Sequence, residues 1–401
     1  MTSDTALLAQ VTGPESGADM VHRAIDMNPI IAAAAPRIDA EREIPEDLFA
    51  QLAGAGLYQL LVPHAFGGSE LDPPVFLQVV EAVAKADAST AWCIAQTAVC
   101  SMAAAYLDPA VAREIFGSPR GVLAWGPPSL GAKAIATPDG YRVTGAWKFA
   151  SGSRQATWLA GHCTLCDADG APRTTQDGRP IERSMLFRRT AATITDVWHV
   201  VGLRGTGTDN YAVSDLFVPA AYSFGRDAVE DRQYPSALYR MSMFHMFAAG
   251  FGAIALGIAQ ATLDAFIQLA RSKTPMLGKN LLSESSLVQS QLGHGQAQIL
   301  AARTFLLQSV HDMWEGAVGS NITLGQRAAM RMASTYAIHQ ARDVVNTMYH
   351  AAGATAVFES NPYERRLRDV NAVTQQIQGH YSLFEIVGQH LLGMSPNFKL
   401  L

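Results

Sequence analysis

Polar and apolar positions along the chain follow three regimes. From about Val21 to Phe116 the apolar residues recur at helical spacing. Pro45-Glu-Asp-Leu-Phe-Ala-Gln-Leu52 predicts a helix start, with Pro and two acids in the first turn and Leu48 and Leu52 on one face. Val62-Pro-His-Ala-Phe-Gly-Gly68 breaks the pattern. A second helix is expected from near Pro74 through Val83, then a third that carries Trp92, Cys93 and Cys100. Between Gly121 and Arg232 the period changes to two. Tyr141–Phe149, Thr157–Cys166, Ser184–Phe187 and Tyr211–Val218 are the clearest strands, parted by Gly, Pro and Asp turns. Beyond a boundary near Arg226 to Pro235 the helical period returns. Leu287, Val288, Leu292, Ile299, Leu306 and Val310 mark one long helix, Ile322 to Ala351 a second and Val370 to Leu392 the last. With the apolar run Met246–Ala259 these make four long helices, as in an antiparallel bundle.

The expected fold is therefore mainly α with a central β domain. Residues 1–20 form a polar, flexible N-terminus, 21–120 a helical domain, 121–232 a small β-barrel or sandwich, and 233–401 a four-helix bundle. Strands do not alternate with helices, which excludes dinucleotide-binding and TIM-barrel architectures. Gly205-Thr-Gly207 is half of a GxGxxG, but it lies between β segments and lacks the third glycine.

The segment Tyr141–Gly152 is the most informative. Tyr141, Val143, Gly145, Trp147 and Phe149 are expected on one face of a strand that ends in Ala150-Ser151-Gly152. Small residues there let a flat ligand approach the backbone. An aromatic strand with such an end suits the edge of a flavin ring; an ordinary half-buried hairpin strand is the plain alternative.

Composition narrows the function. The formal net charge is −5, with no basic stripe, so no nucleic-acid partner is expected. Nearly half the residues are hydrophobic (49%) and 16% are charged, which supports a large core and buried subunit contacts. Met246–Ala259 is shorter than the roughly 20 residues a membrane span takes. Of the four cysteines, Cys163 and Cys166 form a lone CxxC beside His162, without the further ligands a zinc site requires. No metal is expected. Few thiols and no disulfide framework fit the cytoplasm. His22, His245 and His311 have no partner spacing. HExxH, GxSxG and P-loop patterns are absent.

The order of several short motifs resembles the acyl-CoA dehydrogenase superfamily over almost the whole chain. They are Val62-Pro-His-Ala-Phe-Gly-Gly68; Gly202-Leu-Arg-Gly-Thr-Gly-Thr208 followed by Asp215-Leu-Phe-Val-Pro219; Arg271; and Gly353 with Asn361-Pro-Tyr-Glu-Arg-Arg-Leu-Arg-Asp369. Within that superfamily, Trp147-Lys-Phe-Ala-Ser-Gly152 looks like the two-component flavin monooxygenases rather than the dehydrogenases. That branch takes reduced FMN or FAD from a separate reductase, adds O2 and holds a C4a-hydroperoxyflavin in a dry pocket. The resemblance implies a homotetramer acting on a small aromatic, heteroaromatic or amine substrate. It implies flavin contacts at Trp92, Gly126, Trp147, Phe149, Ala150, Ser151, Gly152, Arg271 and Gln376, with Ser151 near N5 and Arg271 on a phosphate.

The residues test that resemblance. Dehydrogenating an acyl-CoA takes a carboxylate base, commonly after the Arg-Asp motif. Here that stretch reads Thr374-Gln-Gln-Ile-Gln378, and Gln accepts no proton at neutral pH. Asp264, Glu81 and Glu385 are substitutes without supporting spacing. Phenol-hydroxylating members carry His where this chain has Cys100 and Gln376. His380, expected one helical turn after Gln376, could restore an imidazole. Ser151, Gln376 and His380 are thus the catalytic candidates. His350 leaves FMN and FAD both open. An acyl-CoA dehydrogenase and a non-catalytic flavin-binding protein are the alternatives.

Overall fold

The structure, a computed structural model, describes residues 17–276 and 278–394. The expectation of a flexible N-terminus over 1–20 falls mostly outside the described residues, and residues 17–20 already belong to the first helix. Five helices come first: α1 (Gly17–Glu41), α2 (Glu46–Gly54), α3 (Pro73–Ala86), α4 (Ala88–Ser101) and α5 (Pro109–Phe116). Pro73 opens α3 just after Asp72, where its missing N–H costs nothing. Asp87 caps α4 by accepting from Thr90 N at 2.7 Å. All of α4 is buried except Gln96, which is partly exposed, because it runs between the sheet and the C-terminal helices.

The strands are β1 (Leu123–Ala124), β2 (Lys133–Thr137), β3 (Gly140–Ala150), β4 (Trp158–Cys166), β5 (Glu182–Arg188), β6 (Thr193–Thr195), β7 (Asp209–Pro219) and β8 (Ser223–Phe224). They pair as one mixed sheet in the order β6-β7-β3-β2-β4-β5-β8, with β1 beside β4. β3 lies antiparallel to β2 and β7, and β4 runs parallel to both β1 and β2.

The C-terminal helices are α6 (Met243–Ala270), α7 (Ser286–Val318), α8 (Leu324–Ala352), α9 (Tyr363–Val373) and α10 (Ser382–Leu391). The glycines of α6 permit close packing: a Cβ on Gly257 would meet the Glu81 carbonyl oxygen of α3 at 2.6 Å. The apolar run near Met246 sits in a helix of 28 residues, longer than the run suggested and apolar enough to cross a bilayer, yet 89% of its most apolar window is buried inside the protein. The expected last helix is two helices. A short 3₁₀ turn at Ile377–Gly379 separates α9 from α10. Tertiary contacts make the break: α8 holds the turn through Arg331 on the Gln378 side chain, Thr335 on the Gln378 carbonyl and His339 on the Gly379 carbonyl.

Candidate functional site

The end of β3 departs from simple alternation. Val143 and Trp147 face inward, as expected, but the pairing with β7 slips between Trp147 and Ala150. Phe149 takes up the extra residue with a left-handed φ of 61°. The inward position therefore falls to Ala150, and Phe149 points out, 58% exposed, with its ring edge-on to Trp198. This corrects the expectation that Trp147 and Phe149 share one wall. Trp147 is itself fully buried. Its indole N–H donates to the His162 carbonyl at 3.0 Å, and a Cβ on Gly161 would lie 2.3 Å from its ring. Trp147 is core of the β domain, stacked on Tyr211, with no surface to offer a ligand.

The bulge has a second effect: it sets Ser151 under Trp92. Trp92 Nε1 donates to Ser151 Oγ at 3.0 Å, and the indole stacks on Phe251 of α6 at 3.9 Å between centroids. Ser151 Oγ also meets Thr208 Oγ1 at 2.8 Å, and Thr208 Oγ1 meets Thr206 Oγ1 at 2.7 Å. Ser151 and Trp92 are both buried, with 6% and 8% of their surface accessible, while the Phe149 ring beside them points outward. The backbone N–H groups of Ser151 and Gly152 are taken by Phe149 and Thr206 carbonyls. The Ser151 hydroxyl is then the polar group this edge can present.

Two glycines shape the edge. A Cβ on Gly126 would meet the Lys148 carbonyl oxygen at 1.8 Å. Gly152 has φ +76°, and a Cβ there would lie 2.9 Å from Thr97. Gln96, one turn after Trp92, reaches the Trp125 carbonyl at 3.4 Å and Cys100 Sγ at 3.8 Å. Cys100 is covered, and burial raises its thiol far above the ordinary range. Gln96, not Cys100, is the polar group exposed on this helix face.

The glycine-rich turn ties this edge to the C-terminal helices. Asp369 Oδ1 accepts from Leu203 N at 2.7 Å, and Arg368 Nη1 donates to the Val201 carbonyl at 2.7 Å. A Cβ on Gly202 would strike the Arg368 carbonyl oxygen at 2.2 Å, which explains the glycine. Burial, and then repulsion from Asp87, pushes the Asp369 carboxyl up to about 7. On the outer side Arg154 bridges Asp209 at 2.9 Å and Asp196 at 3.1 Å, fixing the loop that carries Trp198.

Residues 18–114 match the family described as acyl-CoA dehydrogenase, N-terminal domain, and residues 249–380 match acyl-CoA dehydrogenase, C-terminal domain. A pigment production hydroxylase of Rhodococcus erythropolis is 30% identical over 84% of this chain and 86% of its own. The chain belongs to the acyl-CoA dehydrogenase family. An indole-3-acetate monooxygenase of Pseudomonas putida is 28% identical over 89% of this chain and 90% of its own. Among solved structures, XiaF from a Streptomyces species, in complex with FADH2 and glycerol, superposes with a TM-score of 0.85 over 95% of this chain and 96% of its own, at 23% identity. The family fold is thus common to dehydrogenases and oxygenases, and the site residues must tell them apart.

The three carboxylates the sequence offered as a dehydrogenase base each have a hydrogen-bond partner, and none is a described partner of Ser151 or Trp92. Glu81 is buried and holds Arg303 at 2.8 Å. Asp264 accepts from Gln260, and Glu385 from Gln389. Thr374 donates to the Asn371 carbonyl. Gln376 and His380 do not form the pair expected from one helix face, because the helix ends before them. Gln376 caps the 3₁₀ turn by accepting from Gln378 N, and His380 Nδ1 meets Ser382 Oγ at the start of α10. Among the described residues no hydrogen bond or ring contact links either to Ser151 or Trp92. Arg271 lies exposed at the C-terminal end of α6. His162 and His245 are buried and held neutral by desolvation. Sequence reasoning missed Gln96, Thr206 and Thr208; the spacing of Gln96 from Trp92 and Cys100 was the available signal.

Proposed function

We propose that this protein is the oxygenase component of a two-component flavin-dependent monooxygenase acting on a small aromatic or heteroaromatic substrate. The observation that carries the reading is the Trp92–Ser151 pair at the end of β3, a hydroxyl held by an indole that stacks on Phe251, with no carboxylate among its described hydrogen-bond partners. Dehydrogenation of a thioester needs a base to remove a carbon-bound proton; oxygenation needs a dry, hydrogen-bonding edge. The names of the relatives, monooxygenases and hydroxylases, agree with the second.

The donor set suits a flavin. Gly126 and Gly152 let Lys148 and Thr97 pack close and so shape the strand end, and the Ser151 oxygen would meet the ring's polar edge. Reduced flavin, FAD or FMN, supplies the electrons that activate O2 when bound. The chain's own part is to bind, orient and keep water out. Trp92, stacked on Phe251, would form the apolar wall, and Gln96 would offer the substrate a neutral amide. Arg271, exposed at the C-terminal end of α6, would offer its guanidinium to a phosphate of the flavin. A separate reductase delivers the reduced flavin, as the component naming of several relatives suggests. A homotetramer would cover the exposed Val357, Phe358, Leu391 and Leu392 of the C-terminal helices. The free, buried cysteines suit a reducing cytoplasm.

The test is isotopic. The protein is mixed with FAD, NADH, an independent flavin reductase and ¹⁸O2, and offered a panel of indoles and phenols that includes indole-3-acetate and resorcinol. One ¹⁸O atom in a product supports the reading. Desaturation of an acyl-CoA, with no labelled product from any ring substrate, overturns it.

A further inference from the structure

Four side chains run inward from the strand end in one row of hydrogen bonds. Trp92 Nε1 donates to Ser151 Oγ at 3.0 Å, Ser151 Oγ lies 2.8 Å from Thr208 Oγ1, and Thr208 Oγ1 lies 2.7 Å from Thr206 Oγ1. Thr206 then donates to the Leu203 carbonyl at 2.9 Å. A hydroxyl has one proton and two acceptor sites. With the Thr206 proton on Leu203, Thr206 must accept from Thr208. With its own proton on Thr206, Thr208 must accept from Ser151. Every proton in the row therefore points away from the strand edge. Ser151 Oγ has taken one donor, from Trp92, and retains a lone pair, but has no proton left to give.

The opposite order is disfavoured by geometry. It would set the oxygens of Thr206 and Leu203 lone pair against lone pair at 2.9 Å. The Leu203 end is also rigid: its N–H is held by Asp369 Oδ1 at 2.7 Å, and its carbonyl gathers the Trp198 indole N–H at 2.9 Å and the Thr206 backbone N–H at 3.2 Å beside the Thr206 hydroxyl. Ser151, Thr206 and Thr208 are all buried, so bulk water does not reset the row.

Resting on the flavin reading above, we infer that Thr206 and Thr208 are positioning residues that fix Ser151 as a hydrogen-bond acceptor, so that the site selects reduced flavin. Reduced flavin carries a proton on N5, which Ser151 Oγ can accept. Oxidised flavin offers only a lone pair there and meets a lone pair in return. The preference lets the protein take up the form a reductase delivers and release the oxidised form.

The test compares dissociation constants for reduced and oxidised FAD, measured anaerobically on the full-length protein, together with the midpoint potential of the bound flavin. The wild type should bind reduced FAD more tightly. In Thr208→Val the Ser151 proton is released from the row and can turn outward to donate. The ratio should then shift about tenfold toward oxidised FAD, the worth of roughly one hydrogen bond. That shift lowers the bound midpoint potential by ~30 mV for a two-electron couple. Thr206→Val should move the ratio the same way, since Thr208 then turns its proton to Ser151, and it carries the test if Thr208→Val does not fold. Thr208→Ser should restore the wild-type ratio. A wild-type ratio in the Val variants, with flavin still bound, overturns the row while leaving the flavin site standing. A wild type that binds neither form of flavin removes the site and the inference together.

Discussion

Trp147→Phe separates a core role from a ligand-wall role at the residue that dominates the β3 sequence. Trp147 is fully buried, donates to the His162 carbonyl at 3.0 Å and covers Gly145 and Gly161. Phe loses two ring carbons, worth ~1.5 kcal/mol at ~0.8 kcal/mol per buried carbon. It also loses the indole hydrogen bond to a buried carbonyl, ~1 kcal/mol. The sum is a loss of ~2–3 kcal/mol in stability, with Tyr211 and Phe187 able to close only part of the gap. Flavin affinity should change less than about threefold, because Trp147 is fully buried and has no described hydrogen bond or ring contact with Ser151 or Trp92. Urea denaturation followed by far-ultraviolet circular dichroism reads the first quantity, and anaerobic titration with reduced FAD the second. A variant of wild-type stability whose flavin affinity falls tenfold or more would refute the core assignment and restore Trp147 as a ring contact.

Two further outcomes follow from the geometry. The Asp369 carboxyl, faced by Asp87, Arg365 and Arg368 and raised to about 7 against an ordinary value of 3.8, stabilises the fold fully only in acid; that contribution, at most ~4 kcal/mol, drains away as pH climbs from about 4 to 7. Asp369→Asn keeps an acceptor for Leu203 N but has no charge to gain, so its Tm should rise relative to wild type between pH 5 and pH 8; parallel Tm curves would contradict the shift. Arg271→Ala should weaken reduced-FAD binding about tenfold at low salt and less at high salt, as an exposed cation on a phosphate requires; an affinity unchanged at both salt concentrations would remove Arg271 from the site.

The three-part layout was legible because each regime shows its own period over many residues. β3 and β7 could be placed by alternation, β4 by its short apolar run between turns, and α7 and α8 by their long apolar stripes. What escaped was set by single residues or by distant partners. The slip at Phe149 inserts one residue, and no local pattern announces that this Phe takes a left-handed φ. The break before α10 depends on the buried Arg331 reaching Gln378 from 47 residues away; Gly379 alone hinted at it. Both changes fall on the candidate site. The first turns Phe149 outward, and the second parts Gln376 from His380. Ser151 was legible from the strand end, but Thr206 and Thr208 read only as members of a glycine-rich turn. Their chemistry emerges when the turn folds back under Ser151.

A crystal structure of the protein soaked anaerobically with reduced FAD bears most directly on the site. The account predicts an isoalloxazine against Ala150–Gly152, its N5 about 3 Å from Ser151 Oγ, with no Asp or Glu over the ring. A ring bound elsewhere, or one facing a carboxylate beside a CoA-sized channel, would contradict it.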